Sequence, residues 1–324
     1  MILSRQRQIS FNVTTEARGR VSGDGVELAF GYWPGRGAPV VGIHGLTASY
    51  LTFAGIGERL AGRRSLFAVD LRGRGDSEKP DGPYGMTQHA RDVAAAMRTL
   101  GIGPSIVVGH SMGAFVATAL AVEAPDLVAG VIMIDGGYVP DLPVGVDSEH
   151  ALDKLLEQRI TQLRQYYPSR EFYREFWRNQ PHFPSIDWGP WVEAFLDYEL
   201  GGEPPRLQPK ASEEAVRADL AEGARKSEIR ARLCAVRVPS LLVRAEAGLA
   251  PGQPPLFPDS VVKQIMDCLP EIEEQVIPGA THYTITLGDH GASRVADLID
   301  DFARRCLPTG HTVPPRARML SGAI

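Results

Sequence analysis

The chain has 324 residues, a length that holds one large α/β domain or two modest ones. Hydrophobic residues make up 44% and charged residues 23%, as in an ordinary globular protein, and the net charge of −5 comes without a Lys/Arg block. That balance excludes a nucleic-acid footprint or a polybasic membrane patch, and no apolar stretch reaches the roughly 18 residues a membrane span needs.

Met1 to Arg7 lacks the apolar core of a signal peptide. Cys234, Cys268 and Cys306 lie far apart without metal-ligand spacing, and their odd number argues against a disulfide framework. Both points lead to the expectation of a reducing, cytoplasmic setting.

In chain order, Val21 to Phe30 around Gly23-Asp24-Gly25 reads as an antiparallel hairpin at a sheet edge. Pro39 to Ile43 and Ser65 to Asp70 read as buried strands. Met86 to Leu100 carries Ala90, Val93, Ala94, Met97 and Leu100 at helical spacing, with Thr87 as a candidate cap. The β-branched run Ser105 to Val108 leads through Gly109-His110-Ser111-Met112-Gly113 into an alanine-rich helix, Ala114 to Glu123. Val128 to Ile134 is another apolar strand. This β-α-β-α-β order implies a parallel sheet covered by helices on both faces.

From about Val139 to Arg232 the rhythm breaks into amphipathic helical pieces, prolines and aromatics, with three of the four tryptophans. It resumes with a strand at Pro239 to Arg244, a helix at Asp259 to Cys268, a strand at Glu274 to Ile277 and a helix at Ala292 to Arg305. Residues 1–138 and 233–306 therefore form a discontinuous α/β core, and 139–232 an inserted helical cap. Residues 307–324, rich in proline and small polar residues, read as a flexible tail. An insertion after a parallel strand roofs the crevice at the strands' carboxyl ends. Trp177, Trp188 and Trp191 are the aromatics expected to line it.

A serine on a strand-to-helix turn, with glycine two places away on either side, has the pattern of a nucleophile elbow. Serine needs a base within hydrogen-bond reach to act as a nucleophile. Of the eight histidines, His282 stands in the loop just past the last strand, at the same end of the sheet as Ser111. His290 is closer to the final helix, and His110 is adjacent to the nucleophile and points away. Carbonyl attack also needs donors where the oxyanion develops. The N–H of Met112 is one, and that of Leu46, in His44-Gly45-Leu46-Thr47 after the Ile43 strand, is the other. His44 braces that loop or lines the substrate site.

Together His44-Gly45, Asp70-Leu71-Arg72-Gly73-Arg74-Gly75-Asp76-Ser77, the Gly109–Gly113 turn and the Gly279–His282 loop resemble the α/β-hydrolase superfamily, in its lidded serine esterase and lactonase branch. The resemblance spans about residues 20 to 305. It implies the α/β-hydrolase fold, a mostly parallel sheet flanked by helices with an inserted helical cap, and a triad in the order Ser, acid, His. Relatives that open epoxides or remove halides carry Asp where this chain has Ser111. The usual acid position, past the Pro239–Arg244 strand, holds Gly248. The acid is then Asp135, at the end of the preceding strand, or Glu246.

These residues lead to the expectation of a serine hydrolase acting on an ester or lactone of a hydrophobic small molecule, with no metal, organic cofactor, nucleic acid or membrane partner. Thioester, amide and carbon–carbon hydrolysis use the same machinery. If neither acid supports His282, the chain reads instead as a ligand-binding relative with little turnover.

Overall fold

A computed structural model describes residues 17–37, 39–139, 148–181 and 188–307. The proposed tail beyond Leu307, the N-terminal segment, and parts of the expected cap lie outside the described residues. Eight strands form one sheet. They are β1 (Ala17–Ser22), β2 (Glu27–Trp33), β3 (Val40–Ile43), β4 (Leu66–Val69), β5 (Ser105–His110), β6 (Val128–Ile134), β9 (Ser240–Ala245) and β10 (Glu273–Ile277). Their spatial order is β1-β2-β4-β3-β5-β6-β9-β10. β2 runs antiparallel to β1 and to β4, and every pairing from β4 to β10 is parallel.

The central strands β3 to β6 read as apolar runs because both faces of the sheet are covered there, so successive side chains bury on opposite sides. Val107 joins the cluster on one face with Val41, Ile43 and Leu242. Its neighbours Ile106 and Val108 join the other, with Val40, Leu241 and Val243. The first face carries α2 (Met86–Leu100), α3 (Met112–Glu123), α8 (Lys226–Ala235) and α9 (Asp259–Cys268). The second carries α1 (Ala54–Leu60), α10 (Thr284–Leu287) and α11 (Asp289–Cys306).

Between β6 and β9 the chain leaves the sheet and forms α4 (Ser148–Arg164), α5 (Arg170–Arg178), α6 (Pro190–Glu199), the two-residue pair β7 (Leu200–Gly201) and β8 (Gln208–Pro209), and α7 (Glu213–Gly223), before α8 leads back. Ile160 and Leu163 of α4 pack on Val216 of α7. The insertion joins the core through polar contacts as well. α2 begins at Met86, with Gly85 rather than Thr87 at its cap position. The N–H groups of Gly85 and Met86 donate to Asp219 Oδ1 and Glu222 Oε2 of α7, each at 2.8 Å. Two carboxylates from the insertion thus satisfy a helix N-terminus, where negative charge is favoured. Thr87 Oγ1 instead accepts from Arg232, at 3.2 Å.

The expectation from the cysteines is corrected. Cys234 at the end of α8 and Cys268 at the end of α9 form a disulfide, with their Cα atoms 4.3 Å apart, and Cys306 is free. Counting cysteines hides this because packing of α8 on α9 closes a sequence separation of 34 residues. The argument for a reducing compartment loses that support. No helix among the described residues is long and apolar enough to cross a membrane.

Candidate active site

Ser111 sits between β5 and α3 with φ 55° and ψ −120°, a conformation L-residues rarely adopt. Its neighbours allow the sharp turn. A Cβ on Gly109 would fall 2.1 Å from the Gly113 carbonyl oxygen, and one on Gly113 would fall 2.0 Å from that of Ile43. The turn is held by Ser111 N–H donating to Ile134 O at 2.9 Å and Ala114 N–H donating to Ser111 O at 3.1 Å.

His282, five residues beyond β10, places Nε2 3.1 Å from Ser111 Oγ. Its Nδ1 lies 2.6 Å from Asp135 Oδ2. A carboxylate only accepts, so Nδ1 carries the proton and Nε2 is left to accept from the serine hydroxyl. Asp135 also has positive φ, 45°, and its side chain is wholly buried. Its backbone N–H donates to Val243 O at 2.8 Å, and Oδ1 accepts from Ala245 N–H at 3.2 Å. The carboxylate is therefore fixed by the neighbouring strand β9.

Glu246, the other candidate acid, does not reach His282. Its Oε2 accepts from Gly279 N–H at 2.8 Å on the exposed side of the loop. At Gly248 a side chain would collide with the backbone, since a Cβ would lie 2.5 Å from Pro254 O. The position serves instead through its carbonyl, which accepts from His282 N–H at 2.9 Å.

The loop after β3 faces the serine. Met112 is the first residue of α3, so its N–H has no acceptor within the helix. Met112 and Leu46 both border the same cavity as Ser111. His44 does not line that cavity. It is fully buried, its Nε2 accepts from Leu71 N–H at 3.0 Å, and its Nδ1 therefore donates to Gly45 O at 2.7 Å. Burial holds the ring neutral, with its pKa lowered to about 3. The substrate-lining role is corrected to a bracing one: both ring nitrogens are spent on backbone. His110 does border the cavity while donating Nε2–H to His282 O at 2.9 Å. Burial, then the adjacent His282, lower its pKa to about 3.

A family model described as alpha/beta hydrolase fold matches residues 38–176. Over 251 residues the chain is 32% identical to 2-(acetamidomethylene)succinate hydrolase of Mesorhizobium japonicum, covering 77% of this chain and 83% of that one. It is 32% identical over 154 residues to N-formylmaleamate deformylase of Pseudomonas putida, covering 47% and 55%. A crystal structure of E-2-(acetamidomethylene)succinate hydrolase superposes with a TM-score of 0.71 at 27% identity, over 89% of this chain and 99% of the other. The chain belongs to the α/β-hydrolase family. These relatives are hydrolases, which supports hydrolase activity here.

In this α/β-hydrolase the serine opens onto a cavity of about 490 Å³ with a largely apolar wall. The core contributes Phe115 and Tyr138, and the insertion Trp177, Phe195 and Leu196. Of the three expected tryptophans, only Trp177 lines it. Trp191 is buried elsewhere, donating Nε1–H to Leu287 O at 2.6 Å with the Arg59 guanidinium 4.5 Å from its ring. Trp188 bridges to Gly288 under the Arg178 guanidinium, 5.1 Å from its ring. Both clamp α6 and its approach to the α10–α11 corner of the core.

Arg159 and Glu199, both in the wall, had no signal in the sequence. Arg159 of α4 donates to Tyr283 Oη at 3.2 Å, next to His282. Glu199, at the end of α6, accepts from Tyr173 Oη at 3.2 Å. Burial raises the Glu199 pKa to about 8. Each stands in an amphipathic helix whose spacing does not distinguish a cavity-facing charge from a solvated one. Among the described residues no group of three or more His, Cys, Asp or Glu could hold a metal ion.

Proposed function

We propose that the protein is a serine hydrolase that cleaves a carboxylic ester or lactone of a hydrophobic small molecule through an acyl-enzyme. The observation that carries this reading is the hydrogen-bonded series Ser111–His282–Asp135 at the wall of an apolar cavity. Ser111 Oγ attacks the acyl carbonyl as His282 Nε2 takes its proton, and Asp135 stabilises the imidazolium that forms. The N–H groups of Leu46 and Met112 hold the oxyanion. His282 then protonates the leaving alkoxide, and water activated by the same ring releases the acid. The insertion acts as a cap whose aromatic wall selects the acyl or leaving group.

Hydrolysis of an amide on a carboxylate-bearing molecule is the second reading. It is favoured by Arg159 in the cavity wall and by relatives named for an acetamido succinate and a formyl maleamate. Steady-state kinetics on p-nitrophenyl esters of increasing chain length, on lactones and on N-acyl amides with and without a carboxylate test the two. Turnover of uncharged esters or lactones supports the first. Preference for charged amides, with Arg159→Met raising KM only for those, selects the second. Tight binding without turnover of any class would replace both with the ligand-binding reading.

A further inference from the structure

Behind the cavity, where Asp219 borders it, lies an ion pair with no solvent contact that the mechanism above does not use. Arg74, on the loop after β4, and Asp219, on α7 of the insertion, have wholly buried side chains and meet at 2.5 Å between Nη2 and Oδ2. The remaining Arg74 donors are committed to the core: Nη1 donates to Arg72 O at 3.1 Å and Nε donates to Leu46 O at 2.9 Å. Asp219 is equally committed. Its Oδ1 accepts from Gly85 N–H at 2.8 Å, and its Oδ2 also meets His89 Nε2 at 2.9 Å. Burial alone would raise the Asp219 pKa, but the Arg74 guanidinium and His89 hold it down.

The Leu46 contact gives this pair a consequence. Leu46 lies between two peptide planes, and a different side chain grips the carbonyl of each. Gly45 O, in the plane that bears the Leu46 N–H, is held by His44 Nδ1. Leu46 O, in the next plane, is held by Arg74 Nε. A trans peptide points its N–H opposite to its carbonyl, so gripping both planes fixes the Leu46 N–H direction. The His44 grip comes entirely from the core. The Arg74 grip needs a counter-ion, because a buried guanidinium without one is strongly unfavourable, and the insertion supplies it.

We propose that Arg74 and Asp219 are positioning residues that couple the seating of the insertion to the alignment of the Leu46 oxyanion donor. This rests on the reading of Leu46 and Met112 as oxyanion donors for Ser111. Seating α7 brings Asp219 to Arg74, and Arg74 then keeps the Leu46 loop in its donating geometry. With α7 displaced, Arg74 turns toward water and Leu46 O is released.

The test uses the intact protein and a short p-nitrophenyl ester, with Asp219→Asn, Arg74→Lys, the double variant and Ser111→Ala, each checked for folding by thermal melting. Asp219→Asn keeps the shape and removes the charge. Arg74→Lys keeps the charge and loses the fork that spans three acceptors. Misalignment of one oxyanion donor lowers kcat by about 10- to 100-fold, with KM little changed. Affinity for a trifluoromethyl ketone, whose adduct carries an oxyanion, falls in parallel with kcat/KM. The double variant loses no more than the weaker single variant, since both break one device.

Unchanged kcat in folded variants overturns the proposal. So does a rise in KM with ketone affinity unaffected, which assigns the pair to packing of the insertion. If only one variant folds, it decides; if neither folds, the pair belongs to the scaffold and the proposal fails. Turnover surviving in Ser111→Ala refutes the underlying reading of the site, whatever the other variants do.

Discussion

Asp135 and Glu246 follow neighbouring parallel strands, β6 and β9, and both leave the sheet at the end where Ser111 and His282 stand. Sequence spacing brought both carboxylates to that end but gave no measure of reach. Backbone geometry separates them: Asp135, with positive φ, turns its carboxylate inward beneath His282, whereas Glu246 folds outward onto Gly279. Asp135→Asn therefore lowers kcat by about 10⁴-fold, as expected when the orienting acid is lost, while Glu246→Gln leaves it unchanged in the same ester assay. Glu199 carries a different expectation. Its pKa is raised from the ordinary 4.5 to about 8, so the folded state holds its proton more tightly than the unfolded chain. The stability this contributes is complete below pH 4.5 and is lost as the pH rises through 8. Glu199→Gln keeps an acceptor for Tyr173, so it melts with the wild type at pH 4.5 and above it at pH 9. An equal difference at both pH values would contradict the assignment.

The helices of the insertion show why an aromatic-rich stretch could be found in the sequence while the roles of its members could not. A tryptophan on the apolar face of an amphipathic helix faces either packed core or cavity, and periodicity is the same for both. Trp191 and Trp188 hold α6 and its approach to the core, whereas Trp177 meets the cavity. Trp191→Phe loses the bond to Leu287 and costs about 1 kcal/mol of stability in denaturant unfolding, without reordering a chain-length series of esters. Trp177→Ala reorders that series, changing kcat/KM for long acyl chains more than for acetate. Equal losses from both variants on every ester would return Trp177 to a packing role. α2 carries a related lesson. Its body follows from apolar spacing, but its start depends on Asp219 and Glu222, more than 130 residues away in sequence. No local signal encodes a cap supplied from another part of the chain.

Across the molecule, most of the core was readable because the central parallel strands are apolar runs and most covering helices carry a buried apolar face. β6, α2 and α9 fall where periodicity puts them. The disulfide was not readable, since it depends on α8 returning from the insertion beside α9. The fold predicts that denatured, non-reduced protein presents one titratable thiol, Cys306, and that reduction lowers stability by about 3–4 kcal/mol, as expected for a loop of this length. Three thiols before reduction would contradict the pairing. At one end the sheet brings together a serine after β5, an acid after β6 and a histidine after β10. The measurement that addresses this arrangement most directly is labelling with a fluorophosphonate probe, with the modified residue located by peptide mass spectrometry. An adduct is expected on Ser111, forming slowly in Asp135→Asn and absent in His282→Ala; folded protein with no adduct, or with an adduct on another residue, would overturn the assignment of Ser111 as the nucleophile.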